Sequence, residues 1–153
     1  MTPATPTRRD VLALGLATGA SLLVVARPAV AQTSPGLAMA LATWAGQAPI
    51  QVGKVLLDVA PLVENGNTVP IKLTVQSPMT PADRVTEIAV FNERNPQRDV
   101  ARFQLGPRAG RAEVSTRIRL ATSQQLVALA RMADGSVWSH GVDVIVTLAA
   151  CIE

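Results

Sequence analysis

Glu113-Val114-Ser115-Thr116-Arg117-Ile118-Arg119-Leu120 alternates polar and apolar side chains, putting Val114, Ile118 and Leu120 on one face and Arg117 and Arg119 on the other. A period of two is the mark of a β-strand with one face buried and one turned to solvent or a partner. The same period appears on both sides of this stretch. Upstream, Lys54–Val59, Val69–Gln76, Glu87–Phe91 and Val100–Leu105 read as strands. Between the first two, Glu64-Asn65-Gly66-Asn67 is a turn signal, because Asn-Gly readily supplies positive φ. Pro70 cannot donate a ladder hydrogen bond, so it belongs at the strand's first residue or at an edge. Ser77-Pro78-Met79-Thr80-Pro81 and Asn92–Pro96 read as a loop and a turn. Downstream, Gln125–Met132 fits helix or strand by pattern. The strand is chosen because Ala133-Asp134-Gly135-Ser136 has the composition of a hairpin tip leading into Val137-Trp138. A last strand runs from Gly141 to Leu148, with Val142, Val144, Val146 and Leu148 on one face and Asp143, Ile145 and Thr147 facing out.

Roughly seven short strands with turns about every 8 to 12 residues predict an all-β, immunoglobulin-like antiparallel β-sandwich over residues 49–148. One short helix precedes it, in an N-terminal segment 32–48. Ser34-Pro35 opens this helix, with Leu37, Met39, Ala40, Leu41 and Trp44 at helical spacing, and Gly46 ends it. With two Trp, two Phe and no Tyr, the core is expected to be aliphatic. Outward apolar residues such as Ile145 point to a face covered by a partner.

Residues 1–31 read as an export leader. Thr7-Arg8-Arg9-Asp10-Val11-Leu12 carries a twin arginine, the stretch to Ala26 is mildly apolar, and Ala29-Val30-Ala31 is an A-x-A cleavage site. Gly15, Thr18, Gly19 and Ser21 make the stretch too polar, and its length too short, for a membrane anchor. The expectation is a periplasmic protein exported by the twin-arginine route, mature from about Gln32. Taking Arg8, Arg9, Arg27 and Asp10 from the 14 basic and 11 acidic residues leaves 11 and 10. A net charge of +1 offers no footprint for nucleic acid or an anionic membrane.

The one cysteine, Cys151, lies near the C-terminus in Leu148-Ala149-Ala150-Cys151-Ile152-Glu153. Residues 149–153 read as a tail, and a lone cysteine makes no internal disulfide. The one histidine, His140, precedes the last strand, where it reads as a turn residue. At about 3.3 Å per residue that strand separates His140 from Cys151 by more than about 20 Å, which argues against a Cys–His nucleophile pair. One His also falls short of a blue-copper or a zinc site. Asp58, Glu64, Asp83, Glu87 and Asp143 fall on outward faces or turns, as solvated charges do. No catalytic residue and no metal ligand is assigned. What remains is the thiolate of Cys151, a nucleophile able to hold a sulfur adduct while other active sites modify it.

The chain resembles the SoxY family of the bacterial Sox thiosulfate-oxidising system. The resemblance runs through the twin-arginine leader, Ala60–Pro70, Ser77–Met79, Phe91–Pro96, Thr116–Gln124, Ala133–Trp138 and Val144–Leu148, in that order. It implies an immunoglobulin-like fold and a heterodimer with a second β-sandwich subunit, SoxZ. It also implies transient docking to SoxAX, SoxB and SoxCD-type enzymes, which load thiosulfate onto the tail cysteine, release sulfate and oxidise the remaining sulfur. Cys151 is then the covalent attachment site, and Ala149, Ala150, Ile152 and Glu153 form the swinging tail. No cofactor is implied other than a thiosulfate or sulfane adduct on Cys151, and the chain is a substrate of enzymes, not an enzyme. The family tail is Gly-Gly-Cys-Gly-Gly. Here Ala149, Ala150, Ile152 and Glu153 replace the four glycines, restricting the backbone and adding a carboxylate beside the chain end. An alternative is therefore carried: a SoxY-like paralogue acting as an interaction subunit, whose cysteine holds another sulfur species or an intermolecular disulfide.

Overall fold

The computed structural model describes residues 33–150; the leader, Gln32, Cys151, Ile152 and Glu153 lie outside the described residues. Helix α1 (Pro35–Ala45) is followed by nine strands: β1 (Ile50–Val52), β2 (Val55–Asp58), β3 (Leu62–Asn65), β4 (Val69–Val75), β5 (Val85–Asn92), β6 (Asp99–Gln104), β7 (Glu113–Ile118), β8 (Gln124–Met132) and β9 (Val137–Leu148). They form two sheets. The larger has the order β1-β9-β8-β5-β6 with β3 also paired to β9, and the smaller has the order β2-β4-β7.

The expected β-sandwich with a short N-terminal helix is what forms. Its main core lies between the sheets. Leu57, Ile71, Leu73 and Ile118 of the smaller sheet pack against Ile88, Val90, Leu126, Ala128 and Val144 of the larger. A second cluster covers part of the larger sheet's outer face, where Leu37, Leu41 and Trp44 of α1 meet Ala89, Phe91, Val127, Leu129 and Val137. Burial on both faces explains the near-continuous apolar runs of β5 and β8. Alternation is lost where each face has its own core, which is why the pattern of 125–132 did not separate strand from helix.

Helix α1 starts where expected, with Pro35 in the first turn and Ser34 at the cap position, although the Ser34 side chain makes no capping hydrogen bond. Gly46 ends it at φ 68°, in the left-handed region that glycine enters freely. Two polar contacts dock the helix. Trp44 Nε1 donates to Glu87 Oε1 at 3.2 Å, and Arg131 donates to the Trp44 carbonyl at 2.5 Å with its guanidinium over the indole ring. Glu87 is thus a half-buried anchor for the helix instead of a solvated charge.

Further readings are corrected or refined. The strands number nine, because β1 and β3 were not expected; both are short and pair in parallel with β9. The final hairpin arm is one continuous strand from Val137, so His140 sits inside β9 opposite Ala128 and not in a turn. Its Nδ1 accepts the Leu57 N–H at 3.1 Å, a hydrogen bond from the smaller sheet to the larger. Leu148 is 60% exposed although it continues the apolar face of β9, because the strand has run past the end of the core. Gly66 does not have positive φ; the turn after Asn65 is made instead by Asn65 Oδ1 accepting the Asn67 N–H at 2.9 Å. Pro70 is the second residue of the central strand β4, yet it lies past the last β2 pair, Asp58↔Lys72, where that edge of β4 is open.

Candidate functional site

The chain leaves β9 beside the segment that follows β7. Of the residues expected to form the tail, Ala149 is exposed and Ala150 is half-buried. The Ala150 N–H donates to the carbonyl oxygen of Leu120 at 3.1 Å. Cys151, Ile152 and Glu153 lie outside the described residues, so the structure brings the chain to within one peptide link of the thiol.

Around that exit the backbone is closely held. The Gly66 N–H donates to the Leu148 carbonyl at 2.8 Å, and the Leu120 N–H donates to the Gly66 carbonyl at 2.9 Å. Gly66 is buried at this junction. A Cβ there would stand 2.4 Å from Leu120 O and 3.0 Å from Ala150 N, so a side chain has no room. Leu120 itself is fully buried in the main core.

A polar cluster supports Leu120 from the other side. Asn95 Nδ2 donates to the Arg119 carbonyl at 2.8 Å, and Asn95 Oδ1 accepts the Ala121 N–H at 3.0 Å. Gln124 Nε2 donates to the same Asn95 Oδ1 at 2.8 Å, while Gln124 Oε1 accepts the Arg94 N–H at 2.8 Å. Asn92, fully buried, accepts the Asn95 N–H through Oδ1 and donates to the Gln97 carbonyl. A second tie reaches the tail strand, where Ser123 Oγ accepts the Val146 N–H at 2.9 Å. A buried amide needs its partners supplied, and here backbone groups supply them together with the Asn95–Gln124 side-chain bond. Gly66, Asn95, Leu120 and Gln124 were not singled out from the sequence as site residues. Their signal was their place in the stretches Ala60–Pro70, Phe91–Pro96 and Thr116–Gln124, which the fold gathers with Val144–Leu148 around one exit.

The other sequence candidates stay apart from it. His140 is engaged within the sandwich, and Arg117 borders an open cleft of about 450 Å³ with Lys72 and Asp58 at the edge of the smaller sheet. Among the described residues there is no group of three His, Cys, Asp or Glu that could hold a metal, and no helix long and apolar enough to cross a membrane.

A family model described as the sulfur oxidation protein SoxY matches residues 41–151, a span that takes in every element of the exit and ends at the cysteine. Among solved structures, the chain is similar to the sulfur carrier protein SoxY from Chlorobium limicola f thiosulfatophilum, with a TM-score of 0.61 and 30% identity over 73% of this chain and 96% of that one. It is also similar in fold to a superoxide reductase (neelaredoxin) from Ignicoccus hospitalis, with a TM-score of 0.55 and 16% identity over 61% of this chain and 79% of that one. A superoxide reductase from Nanoarchaeum equitans matches with a TM-score of 0.53 and 12% identity, over 63% of this chain and all of that one. Comparison with curated protein sequences finds no match. The superoxide reductases share only the sandwich, whereas the family match extends through the stretches that build the tail exit, and on that ground the chain belongs to the SoxY family of sulfur oxidation proteins.

Proposed function

We propose that this chain is a periplasmic sulfur carrier of thiosulfate oxidation, holding sulfur intermediates covalently on the thiol of Cys151 while partner enzymes process them. The observation that carries the reading is the placement of the one cysteine immediately after a backbone pinned at the rim of a SoxY-family domain. In the cycle the thiolate of Cys151 forms a bond to the outer sulfur of thiosulfate, and two electrons leave to a c-type cytochrome enzyme of the SoxAX type. Water then cleaves the S–S bond to the sulfonate group under a SoxB-type hydrolase, releasing sulfate and two protons and leaving a persulfide on Cys151. A SoxCD-type dehydrogenase, where present, oxidises that remaining sulfur. The chain supplies no acid, base or metal to these steps; it supplies the nucleophile and presents it.

A SoxZ-like β-sandwich subunit is the proposed stable partner. Support comes from exposed apolar side chains on β3 and β9, where Leu62 and Ile145 are register neighbours, 56% and 59% exposed. The twin-arginine leader, which lies outside the described residues, is the proposed route to the periplasm, with the partner bound before export.

The test is the intact mass of the protein purified from its native periplasm, with and without reductant. A reducible adduct of sulfur or thiosulfate mass on the peptide containing Cys151, absent in Cys151→Ser, is the expected result. An unmodified thiol under sulfur-oxidising growth, or only a Cys151-linked dimer, would overturn the carrier and favour an interaction subunit. The Cys151→Ser protein is expected to fold and to bind its partner as the native protein does.

A further inference from the structure

We infer that β7 is a self-complementary edge, through which two copies of this chain pair about a two-fold axis at Ser115. The inference stands apart from the carrier reading, because it uses neither the tail nor its thiol.

β7 ends the smaller sheet on one side, and among the described residues β4 is its strand partner. Two bonds fix which way each backbone group points. The Val75 N–H donates to the Ala112 carbonyl, and the Gln76 N–H donates to the Lys54 carbonyl. Odd-numbered residues of β4 therefore bond toward β7 and even-numbered ones toward β2. Carried along the register, Val114, Thr116 and Ile118 bond to β4, while the N–H and C=O groups of Glu113, Ser115 and Arg117 point out of the sheet edge. Among the described residues these groups have no backbone partner. The side chains of Glu113, Ser115 and Arg117 are exposed as well. An open edge of this kind is a template for another strand.

The order of charges selects the strand that fits. An antiparallel second copy of β7 centred on Ser115 sets Glu113 opposite the second copy's Arg117, and Arg117 opposite its Glu113. Both members of every such pair turn free backbone groups to each other, so each pair exchanges two hydrogen bonds. Opposite charges facing across two strands attract and like charges repel. Centring the pair on Glu113 or on Arg117 opposes like charges. Centring it on Val114 or Thr116 sets one charge against Ser115 and leaves the other without an opposite inside β7. The Ser115 register is the one that matches both charges within the strand. Arg111 and Arg119, which it would set opposite each other, lie outside β7, where the Arg119 carbonyl is already bonded to Asn95.

Glu113 also pairs with Lys72 of its own chain at 3.0 Å. Arg117 has no acidic partner among the described residues, and the second copy's Glu113 supplies one. The contact is isologous, joins two smaller sheets into one and removes both open edges. It leaves Leu62 and Ile145, which belong to the larger sheet, free for another subunit.

Sedimentation of the full chain in reductant, which excludes a Cys151 disulfide, tests the pairing. The native chain is expected to form a dimer as concentration rises. Arg117→Glu and Glu113→Arg each oppose like charges, and each is expected to weaken the dimer at least about tenfold. Mixed one to one, the two variants have complementary edges again and are expected to dimerise nearly as the native chain does. A native chain that stays monomeric to about 1 mM, or a mixture no tighter than either variant alone, overturns the inference. Hydrogen exchange followed by NMR gives a second readout that needs no variant. On dimerisation the amides of Glu113, Ser115 and Arg117 are expected to slow, while those of Val114 and Thr116, already bonded to β4, stay unchanged. Slowing of both sets alike, or of neither in the dimer, moves the contact off this edge and overturns the inference equally.

Discussion

Asn95 shows how one amide can organise a site from which its own side chain is absent. It donates to the Arg119 carbonyl and accepts from the Ala121 backbone and the Gln124 side chain, so both of its polar atoms act on the segment that receives the tail. Truncating it leaves Gln124, only 5% exposed, short of a partner. Asn95→Ala is therefore expected to lower stability by about 1–3 kcal/mol in urea unfolding, with the midpoint reduced at an unchanged slope. Gly66 and His140 show the limits of reading a residue from its neighbours. Asn-Gly is a turn signal and a turn is present, but the glycine is needed for close approach to Leu120. A lone histidine beside Gly141 looks like loop, yet its ring accepts a hydrogen bond from the opposite sheet. In each case the deciding neighbour lies far away in the chain, beyond the reach of local propensity.

The β8–β9 hairpin was legible as an element and carries a pH dependence of its own. At its tip, Asp134 Oδ1 accepts from Ser136 Oγ at 2.6 Å and from the Ser136 N–H at 2.8 Å. These bonds, the hydroxyl's first and the backbone's second, hold the Asp134 carboxyl below its ordinary value of 3.8. A carboxyl depressed in the folded state stabilises it above the unfolded value. That contribution fades as pH falls from 3.8 through the lower folded value. On acidification from about pH 5 to about pH 2.5, the Ser136 amide is expected to lose exchange protection in the native protein. In Asp134→Asn this acid-dependent part should be missing. The same hairpin explains which strands were not foreseen. β1 and β3 have three and four residues, too few to display a period, and both exist because β9 is long enough to offer its outer edge to two partners in turn.

In the assembled domain α1 covers only the end of the larger sheet where Val137 lies, and the outer face of β9 beyond Gly141 is left bare at Asp143, Ile145 and Thr147. Placing a charge there should not disturb the core. Ile145→Glu is expected to leave the unfolding free energy within about 0.5 kcal/mol of native. If the proposed SoxZ-like subunit binds this face, the substitution is expected to weaken that binding about tenfold or more, measured by calorimetry on the purified subunits. Unchanged affinity would move the partner to another face. Seven of the nine strands, the helix with its proline start and glycine stop, the hairpin tip and the solitary thiol near the C-terminus were readable from composition and period, because each depends on residues a few positions apart. Which strands share a sheet, that β5 and β8 are buried on both faces, and that Gly66, Asn95 and Leu120 meet at the root of the tail were decided only when the sheets closed over the core. Hydrogen bonds between distant backbone groups leave no periodic trace along the chain, so the meeting of Gly66, Leu120 and Ala150 beside the end of β9 belongs to the tertiary structure alone.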